Sequence, residues 1–580
     1  MHEFRVWAPT PRRVELVVAN GNVEMCNAGG GWWSLRMDHA GPGTRYGFSL
    51  DGGTPRPDPR SASQPDGTDG LSELVDHTSF EWTDSAWRGV SHRGAVLYEL
   101  HVGTFTPTGT FDAAIERIPH LVELGIDAIE LLPVVEFSGT RGWGYDGVDL
   151  FAPHHVYGGP DGLKRLIDAC HRHGIGVVLD VVYNHVGPAG NRLGEFGPYF
   201  SERHRTNWGD AVNVDGPGSD EVRRFVIDNA LMWLRHYHVD GLRLDAVHAI
   251  VDESARHVLE EIAAEVDALA VHVRRPLFLI AECDLNDPRF VRSREAGGYG
   301  FDSAWADEWH HALHAALTND RTGYYEDFGT LAALAKALRQ AWVYDGIWSR
   351  HRQRHHGRSP AGLAGHQFVV CTQNHDQVGN RAAGERSSAL MSEGRLRVAA
   401  ALLLAGPFTP MLFHGEEWGA TTPFQYFTDH RDPDLAAAVS RGRRDEFANM
   451  GWDPDDVPDP QALETFERSK LDWHETDDDA HAAMLAWYRE LIALRRHIPA
   501  LSDPRLDRNQ VDVDENRATI VVTRGPVKVI VNLGVADHHF RFTAESDARI
   551  LAGSDPRVRA DGTGVVVPPD AVAVVQVGDA

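Results

Sequence analysis

The sequence predicts an α/β protein: a (β/α)8 barrel with a β-sandwich at each end of the chain. Three observations lead there. Between residues 90 and 504, short strands that are apolar on both faces alternate with amphipathic helices, the pattern of a parallel sheet covered by helices. These strands count to eight, the number that closes such a sheet on itself. On either side, residues 1–89 and 505–580 lose the helical period and read as strands joined by Gly- and Pro-containing turns,. A doubly wound open sheet is the competing α/β reading. No G-x-G-x-x-G follows the first strand, which weighs against it.

In order along the chain, Phe4–Trp7, Val14–Val18 and Tyr46–Leu50 are the N-terminal strands. Asp51–Gly70 is dense in Gly, Pro, Asp and Ser and reads as a long surface loop,. Trp82 and Trp87 follow and require something to pack on. The barrel strands are Val96–Leu100, Asp127–Leu131, Gly176–Val182, Gly241–Asp245, Leu277–Glu282, Ala304–Ala306, Phe368–Cys371 and Pro410–Phe413. Between them, Phe111–Leu124, Gly162–His173, Val222–Tyr237 and Arg256–Ala268 carry the helical period; Leu163, Leu166, Ile167 and Cys170 form one apolar face,. Arg350–Arg358, basic and rich in His, reads as a solvated loop. Ala518–Val522, Val527–Val531 and Val565–Val567 are the C-terminal strands.

Composition narrows the function. Apolar residues make up 42% and charged residues 24%, ordinary globular usage that excludes a mainly disordered chain. The formal net charge is −28, which disfavours nucleic acid and anionic membranes as partners, since both select a basic face. Cys26, Cys170, Cys283 and Cys371 form no C-x-x-C pair and fit buried thiols in a reducing compartment. The longest apolar run, Val398–Phe413, is interrupted by Gly406, Pro407 and Pro410 and is too short to span a bilayer,. With no apolar leader over Met1–Pro9, the expectation is a soluble, cytoplasmic protein.

A barrel presents its chemistry at the C-terminal ends of its strands. Asp180, Asn184 and His185 end the third strand, Arg243 and Asp245 the fourth, Glu282 the fifth, His375 and Asp376 the seventh, and His414, Glu416 and Glu417 the eighth. Singly, such residues cap helices or start turns. Together, carboxylates from several strands converge on one rim, where one must be protonated for the set to be tolerated, as an acid–nucleophile pair requires. Arg243 and Asp245, two apart on a strand, share a face, so the guanidinium holds the carboxylate ionised and oriented. Aromatic side chains crowd the Gly- and Pro-containing loops at Trp143–Tyr145, Asn207–Gly209 and Phe424–Phe427, and rigid aromatic faces suit the flat C–H faces of sugars. P-loop, H-E-x-x-H, EF-hand and G-x-S-x-G patterns are absent from the sequence,.

Four motifs in order, DVVYNH (180–185), GLRLDAV (241–247), IAE (280–282) and QNHD (373–376), resemble the signature of the α-amylase superfamily of glycoside hydrolases. The resemblance spans the barrel and fits the flanking sandwiches. Within that superfamily, RGWGYDGVDLFAP (141–153), HGRSP (356–360), QNHDQVGNR (373–381) and GEEWGATTPFQYFTD (415–429) resemble the malto-oligosyltrehalose trehalohydrolase family. That resemblance implies hydrolysis of the α-1,4 bond next to the terminal trehalose of maltooligosyltrehalose, in a pathway with a maltooligosyltrehalose synthase. A 1,4-α-glucan branching transferase or another α-glucan hydrolase of the same superfamily, and a catalytically silent glucan-binding protein, are the alternatives. The silent reading is disfavoured by the presence of all three carboxylates.

Carried over by position, the resemblance makes Asp245 the nucleophile, Glu282 the acid and then base, and Asp376 the carboxylate that holds the reacting sugar. Arg243 orients Asp245, His185 and His375 bind hydroxyls of that sugar, Tyr145 stacks under it, and Asp146 belongs to the same substrate-binding motif. Trp208 is a further substrate contact. Glu308, Phe424 and Tyr426 are the expected readers of the trehalose end. Relatives bind structural calcium near Asn184; the sequence lacks a full ligand set, so neither metal nor cofactor is expected. The N-terminal sandwich resembles glycogen-binding modules by position, with support of the barrel as its expected role.

Overall fold

The computed structural model describes residues 1–449, 453–542 and 548–578. Parts of the predicted 505–580 sandwich, residues 543–547 and 579–580, therefore lie outside the described residues. Eight parallel strands close a barrel: β1 (Leu97–Leu100), β2 (Ala128–Leu131), β3 (Gly176–Val181), β4 (Gly241–Leu244), β5 (Phe278–Ala281), β6 (Ser303–Trp305), β7 (Phe368–Cys371) and β8 (Thr409–Phe413). Each pairs with its sequence neighbours, and β8 closes on β1 through Met411–Leu97 and Phe413–Glu99.

Side-chain parity organises the interior. Leu97, Ala128, Val178, Phe278, Ile280, Trp305, Val369, Cys371 and Met411 form one apolar cluster apart from the main core. Side chains alternate along a strand, so the positions two residues further on point the same way. They are Glu99, Glu130, Asp180 and Glu282, with Arg243 and Asp245 in step on β4. The barrel thus has an apolar floor and, above it, a layer of ionisable groups. That layer is why the expectation of strands apolar throughout fails at β1 and β2: Glu99 and Glu130 are both buried.

The flanking sheets are small. At the N-terminus, His2–Trp7, Trp32–Met37 and Cys26–Gly29 form one sheet, and Gly21–Glu24, Val14–Val18, Arg45–Leu50 and Ser72–Glu73 another. A five-stranded sheet over Asn509–Val577 and a three-stranded one over His538–Val567 end the chain. The predicted surface loop at 51–70 is instead packed: Asp58, Ser61, Ser63, Gln64 and Thr68 are buried. Tyr46 donates to Asp58 (2.8 Å) and Arg60 pairs with Asp228 on a barrel helix (2.9 Å); these polar partners let a loop of loop-like composition sit inside. Trp82 stacks on His238 at 3.8 Å and Trp87 on His171 at 4.6 Å. The helix expected over 111–124 divides into Phe111–Ile115 and Ile118–Leu124, because Pro119 lacks the N–H that a continuous helix needs and suits a first turn. Arg350–Arg358 is not a solvated loop throughout. It spans the turn and return strand of a hairpin, Asp345–Ser349 with Arg354–Gly357, and His356 is buried.

Candidate active site

The acidic rim is assembled around Arg243, which is fully buried. Its Nη1 donates to both oxygens of Asp180 (2.9 and 2.8 Å) and to Oδ1 of Asp245 (2.9 Å). Nη2 lies 3.9 Å from Oε2 of Glu282. Its guanidinium rests 4.1 Å from the centre of the Trp305 ring, an apolar wall that keeps water from the charge. Asn184 donates to the other Asp245 oxygen (2.8 Å) and to the Asp245 backbone carbonyl (2.9 Å). Asp245 is therefore held in one orientation by two donors, Arg243 on β4 and Asn184 beyond the end of β3,.

Glu282 is held differently. The residue after Asp245, Ala246, adopts φ 39 and ψ 48, a left-handed conformation that costs a non-glycine residue about 1–3 kcal/mol. In that conformation its N–H donates to Glu282 Oε2 at 2.6 Å, tying the β4 and β5 carboxylates through one strained residue. The Glu282 carboxyl is pushed up to about 8. Burial is the largest cause; Arg243 opposes it, and the negative charges of Asp245, Asp307 and Asp376 add to it. It is thus a protonated acid at neutral pH beside the Asp245 carboxylate, the pairing that splits acid from nucleophile.

His375 and Tyr145 complete the interior. Tyr145 donates to Asp180 (2.7 Å), its hydroxyl oxygen lies 2.8 Å from His375 Nε2, and the two rings stack at 5.2 Å. The Trp143–Gly144–Tyr145 turn requires glycine at its centre: Gly144 has φ 102, and a Cβ there would sit 2.1 Å from the Pro133 carbonyl. Asp376 is nearly half-exposed, 3.5 Å from His375 Nε2. Trp208, at the tip of the hairpin Phe200–Thr206/Gly209–Val212, is 49% exposed and lies parallel to the His185 ring at 5.1 Å. His185 Nε2 is bonded to the Tyr145 carbonyl (3.0 Å) and Nδ1 contacts the Asn184 side chain. Both its nitrogens are engaged within the protein, and its ring backs Trp208. Asp146 is partly open to solvent with His430 3.8 Å away.

Two predicted acceptor-side residues are corrected by packing. Glu308 is buried, and its carboxylate accepts from the backbone N–H of Val343 (2.6 Å) and Tyr344 (2.8 Å) and from Asn286 (2.6 Å). It pins the segment before the 345–357 hairpin and has no oxygen facing the rim groups. Phe424 is fully buried in a cluster with Leu132, Trp143, Val378, Phe413 and Phe427. Tyr426 is half-buried, edge-on to Trp143 and under the Arg443 guanidinium at 5.2 Å.

The sequence reading passed over the residue next to Glu308. Asp307 opens the helix Asp307–Thr318 that follows β6 and lies within the field of Asp376 and Arg243, whereas Glu308 is taken up by Asn286, Val343 and Tyr344. The Asp307 carboxyl is pushed up to about 7 by burial and by the charges of Asp376 and Asp284, against Arg243. Beyond Glu282, Asp284 pairs with Arg352 (2.9 Å) and its carbonyl accepts from His356 (2.7 Å), so the hairpin is fastened to the segment that follows the acid. Two groups among the described residues lie close enough to share a cation: Glu136–His154–His155 and His204–Asp215–Glu253. In the first, His154 Nδ1 accepts from the Val156 N–H (3.2 Å) and His155 contributes ring and backbone N–H to Glu136. In the second, Asp215 is bonded to His204 and to the Glu253 N–H.

The family model for the alpha amylase catalytic domain matches residues 64–196. The malto-oligosyltrehalose trehalohydrolase of Arthrobacter ramosus is 52% identical over 574 residues, 97% of this chain and 99% of that protein. The malto-oligosyltrehalose trehalohydrolase of Rhizobium sp. (strain M-11) is 49% identical, covering 99% of this chain and 97% of its own length. Among solved structures, a putative alpha amylase from Salmonella typhimurium superposes with a TM-score of 0.91 at 39% identity, over 100% of this chain and 97% of that one.

Proposed function

This chain belongs to the malto-oligosyltrehalose trehalohydrolase family within the α-amylase superfamily, and we propose that it hydrolyses the α-1,4 bond adjoining the terminal trehalose of maltooligosyltrehalose, with Asp245, Glu282 and Asp376 as its catalytic carboxylates. The observation that carries the reading of the site is the single guanidinium of Arg243 set between Asp245, to which it donates at 2.9 Å, and Glu282, 3.9 Å away, with the Glu282 carboxyl pushed up by burial.

Asp245, fixed by Arg243 and Asn184, attacks the anomeric carbon as Glu282 gives its proton to the glycosidic oxygen. That bond breaks, and trehalose leaves with the proton on its new hydroxyl. Glu282, now ionised, takes a proton from water, which displaces Asp245 from the glycosyl-enzyme and frees the shortened maltooligosaccharide with its configuration retained. Tyr145 and His375 line the sugar that reacts, Asp376 holds its hydroxyls, and Trp208 provides an open stacking face. Asp307 and the Asp284–Arg352 pair are the polar groups beyond the acid and fit the trehalose side better than Glu308 or Phe424.

Cys170, Cys283 and Cys371 are buried and unpaired, while Cys26, expected to be buried, is exposed and unpaired; unpaired thiols suit a reducing cytoplasm, and a synthase that makes maltooligosyltrehalose is the pathway partner this activity requires. The domain division 1–89, 90–504 and 505–580 follows the change from sheet to barrel and back. The first unit's contacts with barrel helices, such as Trp32 with Glu221 (3.0 Å), favour support of the barrel. The test is product analysis. Incubated with maltotriosyltrehalose, maltopentaose and amylose in parallel, the protein is expected to release trehalose fast from the first and to cut the others slowly. New α-1,6 branch points without trehalose would move it to the branching transferases.

A further inference from the structure

One buried carboxyl of the barrel interior belongs to a residue given no role above. Glu99, on β1, is buried, and both its oxygens go to one residue: Oε1 lies 2.6 Å from His375 Nδ1, and Oε2 accepts the His375 backbone N–H at 2.9 Å. Its register partner on β2, Glu130, is held neutral: burial, and then the charge of Glu99, push its carboxyl far up. Of this pair, it is Glu99 whose oxygens are engaged by the His375 ring and backbone N–H.

Hydrogen-bond accounting fixes the state of that ring. Nδ1 faces a carboxylate, which only accepts, so Nδ1 carries a proton. Nε2 faces the Tyr145 oxygen at 2.8 Å and Asp376 Oδ1 at 3.5 Å. The Tyr145 proton is already directed to Asp180 at 2.7 Å, so Nε2 also donates. A ring that donates from both nitrogens is an imidazolium. The surrounding charges agree. Glu99 and Asp376 are the anions nearest it; Glu130 and Asp180 face it from β2 and β3, Arg243 from β4, and Asp307 from beyond β6. His101 and His414 flank it, both pushed down by burial and so neutral. Burial lowers His375, yet Asp376 and Glu99 outweigh it and bring the ring to about 9.

We propose that Glu99 is a positioning residue for the cleavage reaction: it holds His375 as an imidazolium whose Nε2 proton is aimed at Tyr145 and Asp376, on the face that grips the reacting sugar. The inference rests on reading this rim as a glycosidase site, but not on which glucan is cut. It differs from a packing role because its effect passes through the charge of one ring. The sign is fixed. The protonated ring exists below its pKa and is lost as pH rises through it, so removing Glu99 brings that loss to lower pH.

The experiment measures kcat/KM against pH for the wild type, Glu99→Gln, His375→Gln and the double variant, on whichever α-1,4 substrate the wild type cleaves. Trehalose in the wild-type products is scored separately, so a failed substrate assignment does not mimic a failed role for Glu99. The expected result is a kcat/KM about 10²-fold lower for Glu99→Gln at pH 7, an alkaline limb moved toward lower pH, and little further loss from Glu99→Gln once His375 is replaced. Glu130→Gln, already neutral in the native barrel, is expected to match the wild type. Full multiplication of the two single losses, or undiminished kcat/KM for Glu99→Gln at pH 7, below the limb that Glu282 sets at about 8, would overturn the proposal. Should Glu99→Gln not fold, a spectrum of 15N-histidine-labelled wild type at pH 8, set against His375→Gln, decides instead: a lost resonance with both ring nitrogens protonated supports the role, and a lost neutral imidazole overturns it.

Discussion

The β4–β5 rim and the β8 rim carry the same residue types at equivalent strand ends, and they have opposite fates. After β8, Glu416 accepts from Thr372, Tyr488 (2.9 Å) and the Phe413 N–H (3.2 Å), and Glu417 from Tyr98 (3.0 Å) and His120 (2.7 Å). The Glu417 side chain has no exposure at all, whereas those of Asp245 and Glu282 keep 13% and 14%. At β8, hydroxyls and ring N–H groups from surrounding elements close over the acids and make them structure. At β4 and β5, donors reach the acids from behind and leave a side open. A carboxylate at a strand end is catalytic when its partners orient it without covering it, and structural when they do both.

The largest effect that separates the two rims is on turnover. Asp245→Ala is expected to lower kcat by about 10⁴-fold or more, and Glu282→Gln by about 10²–10⁴-fold, with circular dichroism and melting temperature close to wild type. An active Asp245→Ala enzyme would remove the distinction altogether. Next is the apolar side of the comparison. Phe424→Ala is expected to cost about 3–5 kcal/mol in urea unfolding because the ring fills a closed cluster. Unchanged stability with weakened substrate binding would return Phe424 to the substrate.

Smaller effects sharpen the contrast. Glu417→Gln and Glu308→Gln each leave buried donors imperfectly matched and are expected to lose about 1–3 kcal/mol of stability, while kcat per folded molecule and the preference for a trehalose end hold. A selective loss of that preference in Glu308→Gln would restore it as a substrate reader. The smallest effect is electrostatic. With Glu282 raised to about 8, kcat/KM is expected to fall as pH rises through that value, because the acid loses the proton it must give. Asp307→Asn removes one of the charges that raise it, so the alkaline limb moves to lower pH. An unmoved limb would show that Asp307 does not act on the acid.

The barrel was legible from β1 to β8 because doubly buried strands write a continuous apolar run, and the four motifs place Asp245, Glu282, His375 and Asp376 at their ends. Parity was legible within the strands, as at Arg243 and Asp245, but not at Asp307 and Glu308, which open the helix Asp307–Thr318 after β6, so their different surroundings follow from the turn into that helix and not from strand alternation. Glu99 and Glu130 went unread because a carboxylate inside an apolar strand looks like a break in the pattern until its partner, 276 positions away in Glu99's case, is known. A loop residue such as Asp58 looked solvated by composition. Its burial depends on polar partners brought in from other elements, Tyr46 and Ser72, which local sequence does not encode. Phe424 sits in a Pro-containing loop among other aromatics, and nothing in that spacing distinguishes a ring that closes a core from one that faces a sugar.

The measurement that bears most directly on the central claim is the anomer first released. In time-resolved proton NMR of the wild type on maltotriosyltrehalose, an Asp245 nucleophile with Glu282 as acid and base yields the new reducing end first as the α anomer, with the β anomer growing only at the rate of mutarotation. Initial release of the β anomer would mean that water attacks directly, and would contradict the covalent role of Asp245.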